Sequence, residues 1–148
     1  MLFLLMQLDG DRYALDIRQV AVVLPLVDLR AVPGAPDGIA GIIDYGGAPV
    51  PVVDLARLLA NRPAHRRLGT RIVLVHYADH VLGLIAERAT ETVRREPSDF
   101  QPSGITRSDP PHLGPVALDS AGPVHWIDVS RLLPGPLADS LFRQSVDP

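Results

Sequence analysis

Two histidines four residues apart, His76 and His80, and two aspartates in matching contexts, Asp54 and Asp128, have the types and spacing that could support chemistry. An i, i+4 histidine pair is a zinc-ligand spacing when it lies on a helix. Here the pair flanks Ala78-Asp79, which reads as a hairpin turn, and no third ligand is evident for a metal that needs three or four. His112, behind two prolines, and His125, on an apolar run, have no obvious partner for nucleophilic work. One carboxylate in each half of the chain is the arrangement of an aspartic-type hydrolase, whose two carboxylates share a proton. That chemistry needs an Asp-Thr/Ser-Gly turn in each half. Asp44-Tyr45-Gly46 and Asp119-Ser120-Ala121-Gly122 both lack it. Asp54 and Asp128 each precede a short helical pattern, so capping of free backbone donors accounts for both. The chain has neither a Gly-rich phosphate loop nor a Gly-x-Ser-x-Gly elbow. The expectation is a protein with no enzymatic activity, no metal and no cofactor.

Charge narrows the partners. All 14 basic residues are arginine and the formal net charge is −3. Such a chain lacks the summed positive field that binding to nucleic acid needs. Arg66, Arg67 and Arg71 cluster, as do Arg94 and Arg95, and both groups read as solvated surface. The absence of cysteine excludes a disulfide scaffold and fits a cytoplasmic protein. Met1 to Leu8 is almost wholly apolar. It has no basic flank, is far short of the roughly 20 residues that span a bilayer, and is ended by Asp9-Gly10. It reads as a buried strand, with no direct membrane insertion.

The elements around these residues are short and β-rich. Leu2–Leu8 and Tyr13–Ile17 form a hairpin across Asp9–Arg12, and Gln19–Leu24 is a third run halted by Pro25. A proline- and glycine-rich connection follows over residues 28–38. Gly41–Ile43, a turn at Asp44-Tyr45-Gly46-Gly47 and a strand at Ala48–Val53 come next. Pro49 and Pro51 remove two donors, which predicts an edge or irregular strand. Asp54 then caps a helix at Leu55–Leu59. The order recurs from Arg71: strands at Ile72–Val75 and Val81–Ile85, a mixed run over Ala86–Arg95, and a proline-rich polar stretch over Glu96–Pro111. Leu113–Val116, a turn, a strand at Pro123–Ile127 and a cap at Asp128 complete it. Pro136–Phe142 reads as a short terminal helix.

The two endings, Pro49–Leu59 and Pro123–Leu133, align at a spacing of 74 (54 to 128). The hairpins align at 68–69, with Ile17 over Ile85 and Phe3 over Ile72. A duplication of this size predicts a mostly β, pseudo-twofold pair of small barrels. Residues 1–67 would form the first barrel and 68–148 the second plus the terminal helix, within one domain at 148 residues. Hydrophobic residues make up 47% of the chain and most must be core. Val20-Ala21-Val22-Val23-Leu24 is nevertheless apolar on both faces of a strand, so one face calls for a cover, either the other half or a partner.

These motifs resemble the CheW-like coupling proteins of bacterial chemosensory arrays. The resemblance rests on Tyr13-Ala14-Leu15-Asp16-Ile17 with Val20, on Val32-Pro33-Gly34-Ala35-Pro36 leading into Gly41, on Gly47 to Leu55, and on Leu82-Gly83-Leu84-Ile85. It implies two SH3-like, five-stranded β-barrels on a shared core, acting as an adaptor. The partners it implies are the cytoplasmic tip of a methyl-accepting chemoreceptor and the regulatory domain of a CheA-type histidine kinase. By match, Ile17, Val20 and Val22 belong to the receptor groove or its rim, and Asp44, Tyr45, Gly46 and Gly47 border it. Two positions depart from the family pattern: Gly46 stands where it usually has arginine, and Val22 where it often has glutamate. The ending from Leu113 to Phe142 looks like coupling proteins of Wsp-type surface-sensing systems. A stand-alone β-barrel that binds peptides would want exposed aromatic grooves, and the chain offers one tryptophan, three tyrosines and three phenylalanines.

Overall fold

The apolar runs of the two hairpins become strands buried on both faces. In the computed structural model, which describes residues 1–35, 38–101, 113–119, 122–133 and 137–138, the chain forms two antiparallel-rich sheets. The strands are β1 (Leu2–Leu8), β2 (Asp11–Asp16), β3 (Val20–Pro25), β4 (Ile39–Tyr45) and β5 (Ala48–Asp54). Helix α1 (Leu55–Ala60) follows, then β6 (Arg71–Tyr77), β7 (His80–Ala86), β8 (Glu91–Arg94), β9 (Phe100–Gln101), β10 (Leu113–Asp119) and β11 (Gly122–Ile127). One sheet has the order β8-β1-β2-β11-β10-β9 and the other β3-β6-β7-β5-β4.

The expected division at residue 67 is not the division of the sheets. Each hairpin of one repeat is flanked by strands of the other. β1–β2 lies between β8 and β11, and β6–β7 between β3 and β5. The reason is hydrophobic. Leu2–Met6 and Ile72–Val75 have apolar residues on both faces, which only a strand covered on both sides can bury. Exchange of the flanking strands supplies that cover. Leu4, Met6 and Leu15 join Val73, Val75, Leu82 and Leu84 in a cluster shared by both sheets. The alternate residues fill the inside of each sheet: Phe3 and Ala14 with Phe100, Ala117 and Val124 in one, and Ile72, Leu74 and Ile85 with Val50 and Val52 in the other.

The repeat holds at the level of register. Phe3 faces Asp16 as Ile72 faces Ile85, a spacing of 69 (3 to 72, 16 to 85). The twin of Ile85 is therefore Asp16, not Ile17, and the expected pairing of Ile17 with Ile85 is one residue out. The parallel pairs agree, with Trp126 beside Ala14 and Val52 beside Gly83. Closure repeats too. The chain leaving β3 reaches the far edge of its sheet at Arg30, which exchanges two 2.9 Å backbone bonds with Ile42. In the other sheet β9 pairs with β10 in the same place, Gln101 opposite Val116. That short extra strand makes this sheet six-stranded where five were expected. A Cβ on Gly41 would lie 2.6 Å from the Arg30 carbonyl oxygen, so the first closure requires glycine.

β5 is not an edge strand, contrary to the expectation from its prolines. It lies between β4 and β7, but the β7 ladder begins only at Val52. Pro49 and Pro51 sit in the stretch paired with β4 alone, where a missing donor is tolerated. Of the expected terminal helix only Leu137 and Ala138 are among the described residues, helical and packed against the shared cluster.

Candidate functional site

Ile17, Val20 and Val22 follow the first hairpin, and a buried carboxylate sets their course. Asp16 ends β2 in the position its twin Ile85 fills with hydrocarbon, and it is nearly inaccessible. It is satisfied locally: the Arg18 backbone N–H donates to Oδ1 at 3.0 Å and the guanidinium to Oδ2 at 2.8 Å. These hydrogen bonds from Arg18 hold the Asp16 carboxyl below the usual carboxylate range, against the opposing effect of burial. They also fix the 3-10 turn Ile17–Gln19.

Ile17 and Val20 are half-buried against the shared cluster. A bulge at Ala21 then shifts the register of β3, with Val20 opposite Val75 and Val22 opposite Leu74. Val22 therefore packs on the inner cluster of the five-stranded sheet. The expected apolar strip is divided by this bulge: Val20 packs on the shared cluster, whereas Val22 and Leu24 turn to the inner one, and Val23 between them, 39% exposed, turns outward. Val23 is the residue that sequence reasoning passed over, because a strict period of two groups Val20 with Val22 and gives no sign of the bulge that separates them.

The turn at residues 44–47 joins β4 to β5 and is exposed throughout. Gly46 and Gly47 have φ of 60° and 82°, the paired left-handed conformation of a tight hairpin. Tyr45 is 44% exposed. Asp44 accepts from the Arg30 guanidinium at 2.8 Å, so a cation from the closing segment stands beside the turn that lacks an arginine of its own. β4 and β3 occupy opposite ends of the strand order. The turn and the Val20–Val23 edge are thus brought to one sheet without direct pairing.

The other candidates resolve as structure. Asp54 Oδ1 accepts from the Ala56 N–H at 3.0 Å, and Asp128 Oδ1 from the Ser130 N–H at 3.1 Å. Each caps the turn after its strand, and they close different sheets. His76 and His80 lie on β6 and β7, opposite Val81 and Tyr77. Among the described residues no group of three or more His, Cys, Asp or Glu side chains could hold a metal. His112 lies outside the described residues. Arg62 makes two ionic links between segments far apart in sequence. Its guanidinium donates to Asp9 at 2.9 Å and to Glu87 at 2.7 Å, joining the β1–β2 turn to the end of β7. Burial alone would raise the Glu87 carboxyl, but hydrogen bonds from Arg62 and the His65 N–H outweigh it and hold it low.

Residues 2–136 match the CheW-like domain family. The chemotaxis protein CheW of Bacillus subtilis is 26% identical over 128 residues, 84% of this chain and 81% of that protein. Its namesake in Treponema pallidum is 24% identical over 132 residues, 85% and 78% of the two chains. The crystal structure of the scaffolding protein TtCheW from Thermoanaerobacter tengcongensis superposes with a TM-score of 0.82 at 23% identity, covering 92% of this chain and 89% of that one. That likeness is one of fold, the pair of SH3-like barrels.

Proposed function

The chain belongs to the CheW-like domain family, and on that premise we propose that it is a non-catalytic adaptor coupling a methyl-accepting chemoreceptor to a CheA-type histidine kinase. Its relatives are chemotaxis scaffold proteins, and the coupling role is the specific form proposed here. What supports it is the apolar edge of β3, with outward Val23 and half-buried Val20 and Ile17 before it, in a sheet whose far turn offers Tyr45 and the Arg30–Asp44 pair. An amphipathic helical tip finds anchors of this kind in apolar grooves. The proposed setting is the cytoplasm, where receptor tips and kinase meet. No helix among the described residues is long and apolar enough to cross a membrane.

The test is titration of a receptor cytoplasmic fragment against the wild type, Val23→Glu and Val20→Glu. A carboxylate buried without a partner costs on the order of a few kcal/mol, so Val23→Glu should weaken binding by roughly tenfold or more. Because Val23 is outward, the thermal midpoint should hold. Unchanged affinity in both variants would refute the site. Addition of the chain to receptor and kinase should place kinase activity under receptor control, and failure to do so would refute the adaptor role. The Wsp-type assignment predicts that the phosphoryl group passes on to a diguanylate-cyclase regulator.

A further inference from the structure

The inter-barrel segment between α1 and β6 (residues 61–70) and the β7–β8 connection enclose a cleft of about 420 Å3 at the end of the six-stranded sheet. We propose that this cleft is a second docking site, for an acidic peptide segment of a partner protein that carries an aliphatic side chain.

The cleft exists because two strands part. β8 pairs with β1 only from Leu2 to Leu5. Beyond that the Gln7 N–H turns to the Glu87 carbonyl, and the intervening residues loop outward through Arg88, whose φ of +52° is left-handed. An arginine has no intrinsic preference for that conformation, which is held by its surroundings. The two walls are joined where Ala89 N–H donates to the Gly69 carbonyl at 3.0 Å. The outer wall is itself braced: Thr70 Oγ donates to the His65 carbonyl at 2.6 Å, and the Arg71 guanidinium to the Leu68 carbonyl. Leu5 and Arg12 also line the cleft. A site braced in this way forms with little further ordering when it binds.

Its chemistry is opposite to that of the chain as a whole. Arg12, Arg67 and Arg88 line it, together with Glu87 and Glu91. Glu87 is paired with Arg62, which also serves Asp9, and Arg12 donates to the Gly122 carbonyl at 2.7 Å, which leaves Glu91 against the guanidiniums of Arg67 and Arg88 on a chain whose net charge is −3. Arg67 and Arg88 are exposed, and neither guanidinium has an ion-pair partner among the described residues. Local positive charge favours a carboxylate-bearing occupant. Leu68, 94% exposed on the rim, supports no core. A small anion would leave it in water, whereas a peptide with an aliphatic residue would cover it. This inference does not depend on the receptor site, which lies on the other sheet, so either can fail alone.

The probe is a short fluorescein-labelled peptide alternating Glu and Leu, titrated against the full chain by anisotropy and by backbone amide shifts. Its Gln/Leu counterpart and inorganic phosphate serve as controls. Saturable binding is expected, with shifts at Leu68, Gly69, Arg88 and Thr90, and it should weaken as salt screens the guanidiniums. The Arg67→Glu/Arg88→Glu variant should lose roughly tenfold or more in affinity, and Leu68→Ser a smaller factor, as for rim charges and a single exposed apolar contact. Both positions are exposed and unpaired, so the thermal midpoint should not move. If it does, Arg67→Gln with Arg88→Gln gives the same ordering at lower charge change. No saturable binding, equal binding of the Gln/Leu peptide, equal affinity in the arginine variants, or phosphate shifting the same amides with nothing added by the peptide would each overturn the proposal.

Discussion

Strands β3 and β8 occupy equivalent places in the two sheets and face the solvent with opposite chemistry. Leu24 lies opposite Ile72 as Val93 lies opposite Phe3, again at a spacing of 69 (24 to 93, 3 to 72). At the head of β3 the chain reads Val20-Ala21-Val22-Val23, and at the same place before and within β8 it reads Ala89-Thr90-Glu91-Thr92. In the first copy a bulge absorbs one residue and the ladder continues to Val20. In the second the ladder stops at Glu91, and the Ala89 N–H is taken by Gly69 of the inter-barrel segment. A duplicated backbone fixes where an edge stands. The side chains then decide what that edge presents to solvent, apolar in one copy and charged in the other.

The largest expected effect tests whether the two copies are one cooperative unit. Leu15 and Leu84 are twins, both fully buried in the shared cluster. Leu15→Ala and Leu84→Ala should each cost about 2–5 kcal/mol in urea denaturation, with a single transition and similar losses. A loss in only one variant, or two separated transitions, would break the equivalence.

The twin caps should differ. Asp54 accepts from Ala56 N–H and, through Oδ2, from Ala64 N–H at 2.9 Å, whereas Asp128 accepts from the N–H and hydroxyl of Ser130 and lies 3.6 Å from the exposed Arg131 guanidinium. Asp128→Ala should cost about 1 kcal/mol as a lost cap. Asp54→Ala should cost more, because the Ala64 donor loses its partner as well. Equal costs would show that the second bond contributes nothing.

The smallest effect is in acid. Arg18 and Glu87 are twins of opposite charge (18 to 87), and each fastens the chain after its hairpin by an ion pair, with Asp16 and with Arg62. Both carboxyls are held below their ordinary values. A lowered folded pKa means that the native state releases its proton more readily than the unfolded chain. This stability is therefore present above the ordinary carboxylate range and lost as pH falls through the lower folded values. Thermal midpoints measured down the acid limb should fall less steeply in Glu87→Gln and in Asp16→Asn than in the wild type. A limb of unchanged slope in both would remove the ion pairs from the account.

Much of this was legible in the chain. Asp9-Gly10 and Gly46-Gly47 marked turns that the structure places with positive φ. The spacing of Asp54 and Asp128 exposed the duplication, and both aspartates cap as their position implied. The bulge at Ala21 was not legible, because nothing in Val20-Ala21-Val22-Val23 distinguishes one apolar residue from the next. Nor was the Arg62 network, since Asp9 and Glu87 lie far from it in sequence and are ordinary surface residue types.

By itself the sequence determined the hairpin strands, the turns, the caps and the existence of two copies, because each depends on residues within a few positions of one another. Only the tertiary structure decided that the copies exchange strands. Local pattern requires Leu2–Met6 and Ile72–Val75 to be covered on both faces, but it does not say which strand supplies the cover. That choice was settled by the shared cluster, where the two hairpins bury what neither repeat could bury alone.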